Sequence, residues 1–540
     1  MRLLAMMCAA LLLGVSLARA DEQHKHTLSA AEVGSIHFAT SCAKGVEGSF
    51  NRAVALLHSF QYEQARQGFA QVAQREPRCA MAQWGVAMTH YHGLWDNGDT
   101  GAGRAALKKA KEIAATNPKT TAREIAYIDA LGEVYREDDQ DAAAHSRVLE
   151  EKMGELQRAY PNDSEAAVFH ALTLAITAPK TDKTFANQRK CGEILQPIFK
   201  KQPHHPGIAH YIIHCYDNAV LAEEGLEAAR VYAKIAPASA HANHMPSHLF
   251  TRVGSWDESI RSNIRAAQLA IEAEATSMNG EARDQRLHAM DYLEYAYLQS
   301  GQVQQAQRVL SEMKTLKEIP GLTLTGEYAM AAIPARLAIE LQNWAEASTL
   351  QVPAGEPWTQ AITWTAIGVG AARSGNVERS AEAEKNLGAL RDQAAAQGNV
   401  YWSNQVEVQR REVAAWMAQT GGKAEEAIAL LRSAAELEES MDKHAVTPGA
   451  VTPAREMLAE ALALQNQPQD ALTEYQAVLK LAPKRFNALY GAGNSAEAAG
   501  NALLAGEYFR ELTQAASGDE RPELATVRKK IAVTAKQTGF

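Results

Sequence analysis

Apolar and small residues recur along this chain at helical spacing, and the pattern repeats. Tyr62 to Pro77 reads as an amphipathic helix with Ala65 and Phe69 on its apolar side and Pro77 at its end. Gln467 to Pro483 has the same spacing in Ala471, Tyr475 and Pro483. A small residue, an aromatic four positions on and a proline eight further mark the second half of a tetratricopeptide (TPR) unit. Proline cannot continue a helix, so it closes one hairpin and opens the next. Similar prolines at 118, 161, 203 and 237 lie 41, 43, 42 and 34 residues apart, counting from Pro77. Downstream, Ser300-Gly301, Ser374-Gly375-Asn376, Thr420-Gly421-Gly422 and Ala499-Gly500-Asn501 separate further helical stretches. No strand–turn–strand pattern competes. The expectation is an all-α, TPR-like right-handed superhelical solenoid of about eleven or twelve hairpins. Trp95 to Gly103 reads as a loop, and Trp84 and Tyr91 as core.

Composition agrees. The 540 residues are 46% apolar and 22% charged, which rules out wholesale disorder, and aromatics are only 6%. The formal charge is −9, from 54 basic and 63 acidic residues, with no long basic run. Nucleic acid is therefore not the expected partner.

The first twenty residues read as a secretory leader: Arg2, an apolar stretch from Leu3 to Leu17, and Ala18-Arg19-Ala20 as the cleavage site. No later stretch is apolar enough for a membrane span. A periplasmic or secreted location follows. Residues 21–40 are expected to be flexible, 41–310 to form a histidine-rich solenoid and 311–540 a second TPR-like array. Removal of the leader leaves Cys42, Cys79, Cys191 and Cys215, an even number in an oxidising compartment. Cys42 and Cys79 each precede the first helix of successive hairpins. Cys191 begins a second helix and Cys215 ends the next, antiparallel one. The expected pairs are Cys42–Cys79 and Cys191–Cys215, against the alternative of four buried thiols.

The histidines carry the chemistry. With units starting at Pro206, Ala240 and Leu287, His210, His214 and Asp217 fall at unit positions 5, 9 and 12. His241, His244 and His248 fall at 2, 5 and 9, as do His288, Asp291 and Tyr295. In a TPR these first-helix positions face the concave groove. Histidines at i and i+4 share a helix face and can chelate one ion, so His210/His214 and His244/His248 supply three or four nitrogens. His241, His288 and Asp291 are further candidate ligands. Imidazole suits zinc, copper, iron and nickel alike. Asp217 is a ligand, a partner that orients a histidine, or a base. Tyr295, Arg252 and His58 are expected to line the groove. Pro246 either kinks its helix or opens a new one after His244. A groove that recognises a peptide, a partner protein or a small anion, and plain structural hydrogen bonding, are the competing readings.

Weaker candidates are His90 and His92 with Trp95 and Asp96, read as groove lining or a cap. Glu165 reads as solvated surface, and His24 and His26 as a weak terminal metal site. P-loop, GxSxG and HExxH motifs are absent.

Five segments resemble a family of bacterial exported TPR-containing proteins: FNRAVALLHSFQYEQA (50–65), CAMAQWGVAMTHYHGLW (79–95), HHPGIAHYIIHCYD (204–217), HANHMPSHLFTRVGSWDESI (241–260) and LHAMDYLEYAYLQSGQ (287–302). The likeness spans roughly 40–310. Its hallmark segments, HYxIH and HMPSH, stand here at His210–His214 and His244–His248. The resemblance implies a shared role for these histidines without stating which. Pro77-Arg78-Cys79 lacks the acidic residue usual in that turn. A binding scaffold and a metal-dependent enzyme both remain open.

Overall fold

The structure is a computed structural model. It describes residues 28–94, 98–137, 141–274, 280–316 and 322–538. The leader, His24, His26, Trp95 and Asp96 lie outside them. Among the described residues every regular element is a helix. They pair into twelve successive antiparallel hairpins, from Lys44–His58 with Tyr62–Arg75 to Phe486–Ala498 with Ala502–Ala515, followed by Pro522–Thr538. The expected all-α solenoid is the observed one.

The repeat spacing has a packing cause. Phe69 and Tyr475 are buried, and each presses on a glycine in the following helix. A Cβ on Gly85 would lie 2.3 Å from the Phe69 ring, and one on Gly491 2.2 Å from the Tyr475 ring. Each unit inserts an aromatic where its neighbour's backbone comes closest, so both residues are needed together.

Both expected cysteine pairs are joined. Their Cα atoms are 5.0 Å apart for Cys42–Cys79 and 6.2 Å for Cys191–Cys215. The loop expected over Trp95–Gly103 is shorter, because Asp99 caps a helix that begins at Thr100.

Flexibility over 21–40 does not hold for the described part. Phe38 is fully buried against Phe50, Trp84 and Tyr127. Ser35 N donates to His204 O at 3.1 Å. Gly34, at φ +86°, passes close enough to Pro206 that a Cβ would lie 2.8 Å from its ring. Two apolar side chains, Val33 and Phe38, anchor a segment whose overall composition is polar.

The superhelix also closes on itself. Trp256 Nε1 donates to Lys484 O at 3.2 Å, Phe486 N to Gln299 Oε1 at 2.9 Å, and Ser517 Oγ to Asp257 Oδ1 at 3.1 Å. Arg485 is buried and bonded to Glu456 and Glu340. Nearer the N-terminus, residues 443–449 cross over the helices that carry the histidines. Lys443 Nζ donates to Asp217 Oδ2 at 2.9 Å, and Tyr292 Oη donates to Thr447 O at 2.9 Å. The expected concave groove is therefore partly covered by residues 443–449.

Candidate metal centre

Four short stretches aim imidazoles inward: Pro206–Tyr216, Ala240–His244, Pro246–Arg252 and Glu281–Gln299. Pro246 occupies the first turn of its own helix, where its missing N–H costs nothing, so the chain bends at Met245. The bend leaves His241 and His244 on one helix and His248 on the next.

The six histidines form two triads rather than one four-ligand site. In the first, His210 Nε2 lies 3.0 Å from Nε2 of both His214 and His241. In the second, His244 Nε2 and His248 Nε2 are 3.0 Å apart, and His288 joins them. Within each triad one ligand atom per residue lies within 4.8 Å of the others.

The hydrogen bonds behind these rings fix their tautomers. His210 Nδ1 donates to the His58 carbonyl at 2.6 Å. His248 Nδ1 donates to Asp217 Oδ2 at 2.9 Å. His244 Nδ1 lies 2.7 Å from Asn263 Oδ1, and the Asn263 amide is oriented by Nδ2 donating to Ser259 O at 2.9 Å. All three partners accept, so the proton sits on Nδ1 and Nε2 offers a bare lone pair. His244 and His248 thus point two lone pairs at each other over 3.0 Å. His288 Nδ1 is buried with no hydrogen-bond partner. A metal ion bound by these nitrogens would satisfy the opposed lone pairs. Burial first, and the neighbouring imidazoles second, push His210, His214, His241, His244 and His288 well below the usual histidine range. Burial also lowers His248, although Asp217 opposes it.

Asp217 is a positioning partner. Beyond His248, it accepts from Arg252 Nε and Lys443 Nζ, both at 2.9 Å. Burial disfavours its charge, but Lys443 and Arg252 outweigh it and hold the carboxyl well below its ordinary range. Tyr292 stacks on His248 with ring centroids 4.7 Å apart. A cavity of ≈ 120 Å³ adjoins both triads, lined by His214, His241, His248, His288, Glu281 and Met245 among others. Burial pushes the Glu281 carboxyl up to about 7.

A third cluster shows what a satisfied site looks like. Glu165 takes His58 Nε2 at 2.9 Å and His205 Nε2 at 2.8 Å on its two oxygens. Tyr211 Oη reaches His58 Nδ1 at 2.9 Å, and His205 Nδ1 accepts from Ile208 N at 3.3 Å. Every ring nitrogen has a complementary partner, and no lone pairs collide. His58 is therefore a fully buried structural residue, not groove lining, although its carbonyl orients His210. Glu165 is 1% exposed, not solvated surface.

Two further expectations change. Asp291 belongs to neither triad: Arg336 Nη1 holds its Oδ1 at 2.5 Å and Glu294 Oε2 at 2.9 Å. Three residues from His288, its carboxylate finds a guanidinium before it finds the centre. Tyr295 is turned from the triads against Trp256, with its hydroxyl 3.4 Å from Arg485 Nη1. With Arg252 it lines a second cavity of ≈ 480 Å³ beyond residues 443–449. His92 stacks on Tyr62 at 4.0 Å and lines the smaller cavity, consistent with groove lining. Sequence reasoning did not find Asn263, Tyr292, Glu281 or Lys443. Of these only Tyr292, one helical turn from His288, carried a positional signal.

No family model and no curated protein matches this chain. Solved structures with a similar arrangement include a human IFIT1 dimer with PPP-AAAA, at 13% identity and TM-score 0.34, covering 87% of this chain and 90% of that one. Another is a human IFIT1 dimer with m7Gppp-AAAA, at 11% identity and TM-score 0.32, covering 81% and 90%. At these values the likeness carries no argument about this chain, and neither RNA ligand is carried over to it.

Proposed function

We propose that this chain is an exported TPR-type metalloprotein, one of the bacterial exported proteins with HYxIH and HMPSH segments. In this reading its two histidine triads hold a transition metal, with zinc, copper and iron as the candidates by donor type. The observation that carries it is the His244–His248 pair, two bare Nε2 atoms 3.0 Å apart with both protons fixed on Nδ1. The leader and the two disulfides support export.

The solenoid is the scaffold and the cavity beside the triads takes the ligand. Its ≈ 120 Å³ suits a small molecule better than a peptide. A peptide side chain or a partner's loop fits the ≈ 480 Å³ cavity, which has Trp358, Trp402 and Tyr401 on its wall. A metal-dependent enzyme is the second reading. Three nitrogens per ion would leave a coordination position open, as in catalytic metal sites, and the cavity adjoins both triads.

The test is metal content by mass spectrometry on protein purified from the periplasm without nickel resin, beside a His210→Ala/His248→Ala variant. Stoichiometric metal in the wild type and its loss in a variant with unchanged circular dichroism support the reading. Metal-free wild type that also fails to take up zinc, copper or iron refutes it.

A further inference from the structure

The two triads lie side by side. His241 and His244 share one helix, with ring centroids 6.2 Å apart, and His214 and His248 are also 6.2 Å apart. His214 and His241 from one triad and His248 and His288 from the other line the same cavity. Both triads therefore border one small space.

The charge of the donor set limits what can sit there. Among the described residues all six triad donors are neutral imidazoles. The carboxylate nearest in the hydrogen-bond network, Asp217, is already matched by Arg252 and Lys443. Two neighbouring divalent ions would repel about four times as strongly as two monovalent ions at the same separation, and the two carboxylates that line the cavity, Glu281 and Asp284, belong to neither triad, Asp284 being held by Thr323 and Gly326. Two-metal sites for hard divalent ions use carboxylates and waters, which these triads lack. Imidazole does not choose among these metals, but a thioether selects Cu(I), and the thioether-bearing Met245 lines the same cavity.

We propose that the triads form a dinuclear copper site, one ion on His210/His214/His241 and one on His244/His248/His288. The reduced pair binds dioxygen in the shared cavity. This rests on the metal reading above and narrows it. Each Cu(I) gives one electron to O₂. The product is two Cu(II) ions with dioxygen at the two-electron-reduced level between them. No proton or leaving group moves, so removal of O₂ returns both electrons and restores Cu(I).

The experiment loads metal-free full-length protein anaerobically with Cu(I), counts bound copper, and then admits oxygen. Two ions per chain are expected. Oxygenation is expected to give an intense near-ultraviolet band that bleaches under vacuum, and almost no electron-spin signal, because adjacent Cu(II) ions couple. His214→Ala and His288→Ala should each retain one copper, lose the band and show the spin of one isolated Cu(II). One copper in the wild type, or two with the full spin of independent Cu(II), overturns the proposal, and neither count depends on a variant folding. Two zinc or iron ions with no copper uptake also overturns it while leaving the metal reading standing. No uptake of zinc, copper or iron removes both.

Discussion

Replacing Arg336 by methionine should destabilise the protein in a strongly pH-dependent way. Arg336 is fully buried and serves two buried carboxylates, Asp291 and Glu294, from one nitrogen. Methionine fills similar space but leaves both acids without a counter-charge. Burial pushes Glu294 up to about 8 even beside Arg336, so at pH 7 it is largely protonated and adds little to the penalty. Asp291 carries the cost. A stranded carboxylate can escape by taking a proton. From an ordinary value of 3.8, protonation at pH 7 costs about 4.4 kcal/mol at 1.36 kcal/mol per pH unit. That is a ceiling, because burial raises Asp291 above its usual range with Arg336 present and the native protein already bears part of it. The variant should lose about 2–4 kcal/mol at pH 7, overlapping the lower part of the roughly 3–5 kcal/mol range for breaking a buried pair. The sign is fixed by proton uptake. Between pH 3.8 and the raised folded value, the folded variant keeps a proton that the unfolded chain releases, so stability falls as pH rises. At pH 5 the same ceiling is about 1.6 kcal/mol. Urea unfolding of both proteins at pH 5 and pH 7, followed by tryptophan fluorescence, measures this directly. Adding Asp291→Asn should recover most of the loss at pH 7. An Arg336→Met penalty equal at the two pH values would refute the electrostatic account and leave packing as the cause.

Other consequences are equally open to measurement. Asp217→Asn keeps an acceptor for His248 but removes the charge that neutralises Lys443 and Arg252; metal affinity in a chelator competition should fall about 10–100-fold, and an unchanged affinity would strip Asp217 of its positioning role. Removing Cys191–Cys215 or Cys42–Cys79 as serine pairs should cost about 3.4 and about 3.8 kcal/mol by loop-closure entropy over separations of 24 and 37 residues, read as lowered urea midpoints. Gly85→Ala should cost about 1–3 kcal/mol by overpacking Phe69, and less in a Phe69→Ala background; a strictly additive double mutant would contradict the contact between them.

The repeat was legible because packing imposes it locally: a small residue, an aromatic and a proline mark some hairpins, and glycine turns mark others. The cysteine pairs were legible for the same reason, since each joins adjacent units. The histidines were legible as a set, because i, i+4 spacing puts them on one helix side. Their division into two triads was not, because it depends on the bend at Met245 and on which backbone or side-chain oxygen takes each Nδ1 proton. Asp291 shows the limit most clearly. Helical spacing placed it near the centre, yet Arg336, 45 residues on, claims it. Glu165 and His58 were misread for a related reason. Their partners come from hairpins 40 to 153 residues away, and spacing within one helix says nothing about them.

The crossing of residues 443–449 over the histidines bears on how the protein is made. A helical array normally matures unit by unit, each hairpin settling on the one before. Here the six imidazoles are all synthesised by residue 288, but Lys443 and Thr447, which close over Asp217 and Tyr292, emerge more than 150 residues later. For that interval the nitrogens are present without their roof. The nascent chain therefore passes through a stage in which the histidines are accessible to any ion, and completion of the second half turns that access off. Under the metal reading, the order of synthesis makes uptake a matter of timing as well as affinity, and a chain cut short before Lys443 should differ from the full chain in the metals it takes up.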